Sequence, residues 1–448
     1  MQIETNKGIK LLLRPIFITI LLVFSLISCV DKEKKSAPII KDGVLDLSDW
    51  SLEKDGPVYL KGNWRFAWGE FVEPSSAENI WEKYKDIIKV PGVWKNEIKP
   101  GMKEDLPGPM GFGSYILEIK LGSKNSDPLT KFGFFYRARI ASAATILTSD
   151  GKKIIGTLEQ GKPAESKANE IPLMYSRIKQ IEVLTTNSIL IIIHVSNFQH
   201  KSGGLWQSPM FGTESTLYQQ SDVKIYAGVA LLGTLLIVGL YHFILFFQRK
   251  EDQTTLAFAL FCVSIAIFQI TVMRLGQSLG FGNHVDGFQF FMKTGFLATP
   301  LSVLSGAYFV KSMVPGKLFI LSYKWFIFPM SIVFSLISMS VSSLTLFEST
   351  NLFYLYIISC FLIALCHIAH KSFQKNKNMH TARLLGTSLM LLISAVIYDM
   401  WSILTTQDFL NLTPYTFMIL ILMQSGIISG KFAKAFSDIK LLVSKLED

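Results

Sequence analysis

The stretch from Val223 to Phe247, VKIYAGVALLGTLLIVGLYHFILFF, which runs into Gln248-Arg249-Lys250-Glu251-Asp252, decides how the chain is read. It is longer than the ~20 residues a helix needs to cross ~30 Å of hydrocarbon, and the charges that end it belong in water. Further apolar stretches follow at Thr254–Val272, Phe288–Val310, Trp325–Leu344, Asn351–His370, Leu384–Leu404 and Pro414–Gly430. The loops between them alternate in charge. One set holds Arg249, Lys250, Lys311, Lys317, Lys324, Lys371, Lys375, Lys377, Arg383, Lys431 and Lys434; the other holds little beyond Arg274, Asp286, Glu348 and Asp408. The lysine-rich side is expected to face the cytoplasm. An odd number of crossings then puts everything before Val223 on the outside.

Composition agrees with a membrane protein. Of 448 residues, 50% are hydrophobic and only 17% charged. The formal charge of +10 sits largely in the N-terminal peptide and the short loops, and no Lys/Arg stripe interleaved with aromatics makes a nucleic-acid face. Of the four cysteines, Cys262, Cys360 and Cys366 lie in apolar runs, and Val30 to Asp222 has none. An exported domain of that size must rest on its own core. No cysteine or histidine spacing points to a metal, and no cofactor is expected.

The N-terminus reads as an export signal. Lys7, Lys10 and Arg14 precede the apolar run Ile16 to Ile27, which is short for a membrane span. It ends in Leu26-Ile27-Ser28-Cys29, which resembles the bacterial lipobox; the resemblance implies acylation at Cys29, with a signal peptide over 1–28 and a lipid-anchored tether over 29–42. An ordinary cleaved signal or an uncleaved anchor is the alternative.

From 43 to 218 the text changes to short apolar runs broken by Gly, Pro, Asn and Asp. Tyr115 to Leu121 alternates, with Leu117, Ile119 and Leu121 on one face and Glu118 and Lys120 on the other, a half-buried strand. Asp150-Gly151 between Ser142–Leu147 and Lys153–Ile155 predicts a hairpin. Ser188 to Val195 is nearly all β-branched or Leu and suits a strand buried on both faces. Leu60-Lys61-Gly62-Asn63-Trp64-Arg65-Phe66, Val90-Pro91-Gly92-Val93-Trp94 and Gly111-Phe112-Gly113-Ser114-Tyr115 come in an order that resembles the galactose-binding-type jelly rolls of glycoside hydrolases. The resemblance implies a jelly-roll β-sandwich and a carbohydrate or other small ligand. Trp64 and Phe66 are expected in the core. Trp94 and Trp206 are expected in loops, where their rings could stack on a sugar, with Arg137, Arg139 or Asn96 bonding its hydroxyls. The acidic residues sit in polar turns without an apolar setting, so no enzyme is expected.

The membrane segment, 219–430, carries Gly233-Thr234-Leu235-Leu236, Gly239-Leu240-Tyr241-His242, the Gln248–Asp252 turn and Leu256-Ala257-Phe258. These resemble the bacterial seven-transmembrane receptors with diverse intracellular signalling modules. The resemblance implies a multi-pass inner-membrane receptor, with a periplasmic N-terminal domain and a cytoplasmic C-terminus. In the tail, 431–448, Phe432, Phe436, Ile439, Val443 and Leu446 form a short heptad seam for a second copy or a separate effector. An amphipathic helix on the inner leaflet is the alternative. Lys293 and Asp399 are the deepest ionisable residues of the spans and are expected either to pair under the β-domain or to reach the outer interface separately. His242, His367 and His370 are expected at inner interfaces. The rival functions are a transporter, for which no paired broken helices or repeat is visible, and a structural membrane protein lacking an output domain.

Overall fold

The computed structural model describes residues 35–74, 77–94, 110–125, 131–136, 143–150, 154–173, 177–180, 188–273, 275, 285–374, 379–405 and 412–447. The export signal, Cys29, Asn96, Arg137 and Arg139 lie outside these residues, and with them the lipidation site and three of the expected ligand contacts.

The N-terminal half is a sandwich of two sheets. The larger contains β1 (Val44–Asp46), β3 (Gly62–Trp68), β4 (Ile87–Val90), β5 (Gly111–Lys120), β7 (Ala143–Ser149), β8 (Ile154–Gln160) and β10 (Ser188–Asn197). It runs β4-β3-β5-β10-β7-β8, with β1 added in parallel to β5. The smaller sheet runs β2 (Val58–Tyr59), β11 (Met210–Thr213), β6 (Phe132–Tyr136) and β9 (Arg177–Gln180). A helix, α1 (Ala77–Lys83), lies between β3 and β4 in the chain.

Side-chain alternation explains the layering. On β10, Ile189, Ile191 and Ile193 face the sandwich core with Leu117, Ile119, Phe134 and Phe211, while Leu190 and Ile192 face the opposite side with Ile116, Leu147 and Ile80 of α1. The continuous apolar run of β10 therefore serves two cores, as its sequence indicates. On β5, Leu117 and Ile119 are buried and Lys120 is exposed, in the predicted alternation. The β7–β8 hairpin forms, although residues 151–153 of its turn are not described.

The sandwich does not end where the bundle begins. Helix α2 (Glu214–Gln248) starts at the last residue of β11, with the Thr213 side chain accepting from the Thr216 amide. The Glu214 amide donates to the Lys131 carbonyl at 3.0 Å, and Leu217 packs with Phe135 and Met210 of the small sheet. The boundary expected at 218/219 thus falls inside one unbroken helix.

After α2 come α3 (Gln253–Met273), α4 (Val285–Met313), α5 (Lys317–Ser322), a π-turn (Tyr323–Ile327), α6 (Phe328–Ser340), α7 (Ser343–Glu348), α8 (Thr350–Phe373), α9 (Met379–Thr405) and α10 (Thr413–Glu447). With α5 to α6 taken as one crossing, seven long helices stand among the described residues. Six are long and apolar enough to span a membrane. The exception is α4, which carries Lys293, Thr294, Thr299, Pro300, Ser302 and Ser305. Its hydroxyls are satisfied locally: Thr294 donates to the Phe290 carbonyl at 2.8 Å and Ser305 to the Leu301 carbonyl at 2.7 Å. It also packs closely on α3; a Cβ added at Gly295 would lie 2.6 Å from the Thr271 methyl.

Candidate functional site at the seam between sandwich and bundle

Five aromatic residues of the sandwich form one group, four of them buried and Trp68 partly so. Trp64 and Tyr115 meet edge to face at 6.3 Å, Phe66 lies 4.8 Å from Tyr115, and Trp68 and Trp94 are perpendicular at 4.7 Å. Trp64 and Phe66 are core residues, as expected. Trp94 is not a loop residue with a free ring. It is fully buried, and its indole N–H donates to the Tyr115 hydroxyl at 2.7 Å, which removes the polar reason for it to stay near water. Its ring is unavailable to a ligand in this conformation.

Trp206 has a different setting. The end of β10 folds into a tight turn held by Asn197, whose Oδ1 accepts from the His200 amide at 3.1 Å and whose Nδ2 donates to the His200 carbonyl at 2.8 Å. The following loop is tied to the Trp94 segment: Gly92 N donates to Leu205 O at 2.9 Å and Trp94 N to Gly203 O at 3.1 Å. Gly204 makes this approach feasible. Its φ is +102°, and a Cβ there would meet the Gly92 carbonyl at 3.0 Å. The two tryptophans singled out in the sequence are therefore joined by backbone, but their rings point to different neighbours.

Those neighbours belong to the membrane half. The His200 ring lies 4.5 Å from Trp206 and 4.2 Å from Phe347 of α7. Trp206 and Phe347 pack with Phe288, Phe291 and Met292 in the first turns of α4. Phe347 in turn reaches Phe296, and Phe296 reaches Phe353 of α8. One aromatic chain thus runs from the end of β10 into three helices of the bundle. Sequence inspection misses it because its sandwich members, at 200 and 206, lie 82 or more residues before its helix members.

A buried carboxylate fixes the other side of the turn. Glu170 Oε1 accepts from the Ser196 hydroxyl at 2.6 Å and Oε2 from the Phe198 amide at 3.2 Å. Burial pushes its carboxyl up to about 7, against the pull of those two hydrogen bonds. The same segment is pinned where Ala164 N donates to Ser196 Oγ at 3.3 Å.

The charges of the spans do not pair. Asp399 is buried, and its two oxygens accept from the amides of Leu412 at 2.9 Å and Thr413 at 2.8 Å. It caps the start of α10, where unpaired amides and the helix dipole favour an anion. Lys293 instead donates to the Met339 carbonyl at 3.4 Å, near the end of α6. Of the two arrangements expected, pairing or separate placement, the contacts seen are separate, each at a helix end.

His242 also departs from expectation. It is buried inside the bundle, not interfacial, with Nε2 at 3.1 Å from Ser425 Oγ. Beside it Gln424 donates to Ser388 Oγ at 2.9 Å, so a small polar group joins α2, α9 and α10. His367 holds the Val314 carbonyl at 2.7 Å, and His370 is exposed. Among the described residues no three His, Cys, Asp or Glu are grouped as for a metal ion. In the tail, α10 continues without a break to Glu447, with Ile439 and Val443 exposed.

Residues 225–431 match the family model described as 7TM diverse intracellular signalling. No curated protein matches the chain. Solved structures similar to part of it include a GH2 beta-galacturonidase from Eisenbergiella tayi bound to galacturonate, at 13% identity and TM-score 0.22 over 35% of this chain and 24% of that one. Another is the Bifidobacterium dentium beta-glucuronidase complexed with coumarin-3-O-glucuronide, at 12% identity and TM-score 0.24 over 37% of this chain and 31% of that one. The chain spans less than a third of either enzyme's length.

Proposed function

We propose that the protein is a membrane signalling receptor whose outer sandwich reads a ligand and whose seven-helix bundle passes the result to the inner end of α10. The observation that carries this reading is the double attachment of sandwich to bundle. α2 grows directly out of β11, and the His200–Trp206 turn packs on α4 and α7. A rotation of the sandwich about the first attachment must slide the second, so the bundle responds as a body. The match of residues 225–431 to a signalling family supports the same assignment.

The output is binding, with no chemical step assigned to the chain. The exposed Ile439 and Val443 offer an apolar seam to a second copy or to a separate effector on the lysine-rich, cytoplasmic side. The polar contact between His242 of α2 and Ser425 of α10 links the helix that leaves the sandwich to the helix that forms the tail. Placement of the sandwich in the periplasm, anchored through Cys29, completes the proposal.

The test is a lock at the seam. His200→Cys with Phe347→Cys, in a background where Cys262, Cys360 and Cys366 are replaced, is oxidised in lipid nanodiscs. Spin labels at Val443 then report the spacing and mobility of the tail. The receptor reading expects the lock to change the tail's distance distribution, and reduction to restore it. An identical distribution in both states refutes coupling.

A further inference from the structure

Three consecutive residues of the seam carry polar atoms that no group among the described residues satisfies. The indole N–H of Trp206, the amide oxygen of Gln207 and the hydroxyl of Ser208 are all shielded from solvent without a hydrogen-bond partner. Ser208 is 6% exposed overall. On the bundle side, Ser343 Oγ is likewise buried and unpartnered, and it lies four residues before Phe347, on the same face of α7. A buried polar group left unsatisfied is destabilising, so packing alone does not account for several of them in the segments that meet at the seam.

We propose that this seam is a ligand site, and that it takes a small uncharged ring compound bearing neighbouring hydroxyls, the chemistry of a neutral sugar. The proposal rests on the receptor reading and names where that receptor binds. The unsatisfied groups are one donor, one acceptor and two hydroxyls that serve as either, and adjacent hydroxyls on one ligand answer all of these roles. The rings of His200, Trp206 and Phe347 supply flat apolar faces for the C–H side of such a ring. All the orphaned groups are neutral. The nearby helix ends bear the exposed carboxylates Asp286 and Glu348, which oppose an anion.

In this conformation the seam is shut, because each orphaned atom is out of reach of solvent. Entry of a ring must therefore part the His200–Phe347 contact and turn the sandwich about α2. The ligand favours the parted state because only there are its hydroxyls bonded, and that difference in affinity is what shifts the bundle.

The experiment uses the full chain in lipid nanodiscs. The probes are methyl β-D-galactopyranoside, methyl β-D-glucopyranoside and N-acetylglucosamine, with galacturonate as the anionic comparator. Hydrogen exchange is followed in segments 197–210 and 285–296. At least one neutral probe is expected to alter exchange in both segments. Trp206→Phe, which keeps a ring and loses the donor, and Ser208→Ala are each expected to raise its half-saturating concentration about tenfold. Lys83→Ala, at an exposed lysine paired with Glu70, leaves it unchanged. Galacturonate acting as well as the neutral probes overturns the ligand class. Unchanged affinity in both seam variants overturns the site and leaves the receptor reading standing. Silence from every probe overturns the neutral-sugar site, and the seam lock described above then judges the receptor reading separately.

Discussion

Glu170 gives the sandwich a pH dependence whose sign is opposite to that of a salt-bridged acid. Its carboxyl, 1% exposed, titrates near 7 in the folded protein, against an ordinary value of 4.5. The folded state therefore holds a proton between those values that the unfolded chain has released. Stability from this group is fully present below pH 4.5 and is lost as pH rises through about 7. With ~1.4 kcal/mol per unit, the loss amounts to about 3 kcal/mol. Glu170→Gln removes the charge and keeps both partners, since an amide oxygen accepts from Phe198 N and the amide NH₂ donates to Ser196 Oγ. The assay is urea unfolding of the sandwich in the nanodisc-embedded protein, followed by hydrogen exchange along β10 at pH 4.5 and pH 8. The wild type is expected to fall relative to Glu170→Gln by about 3 kcal/mol over that interval. A difference that stays level, or one in which the wild type gains at high pH, refutes the reasoning: it would mean that the two hydrogen bonds outweigh burial and hold the carboxylate charged.

Three further outcomes follow from the same geometry. Asp399→Asn should destabilise the start of α10 by about 1 kcal/mol, read as faster exchange near Thr413, and its effect should add to that of Lys293→Met; a coupling energy above about 0.5 kcal/mol would restore the abandoned ion pair. Trp94→Ala should lower sandwich stability by about 3–5 kcal/mol in a denaturant melt, the cost of emptying a buried indole; a change under 1 kcal/mol would show the ring to be peripheral. His242→Ala should leave the sandwich melt unaltered while weakening the seam-to-tail response in the spin-label assay, whereas an equal response would remove the α2–α10 contact from the relay.

Some features were legible because they depend only on local periodicity and solvent. The length of each apolar run follows from bilayer thickness, and the lysine bias of alternate loops supports an odd number of crossings. The double burial of β10 is written in the nearly continuous apolar run from Ser188 to Val195, and the one-sided burial from Leu117 to Leu121 in its alternation, while Ile116 is buried on the second face as well. The placement of Trp64 and Phe66 in the core followed from the jelly-roll resemblance.

What only the tertiary structure decided concerns partners. Trp94 and Trp206 look alike in sequence, each next to glycine, proline or lysine, yet Trp94 found a hydroxyl in Tyr115 and sank, while Trp206 found none and turned to the bundle. Lys293 and Asp399 suggest a pair by charge alone, but a carboxylate beside a helix start takes the amides there first. The seam itself joins positions 200, 206, 288 and 347, a proximity that no local pattern encodes. Local physics sets which segments cross the membrane and which strands are buried; which side chains meet depends on how two independently patterned halves come to rest on each other.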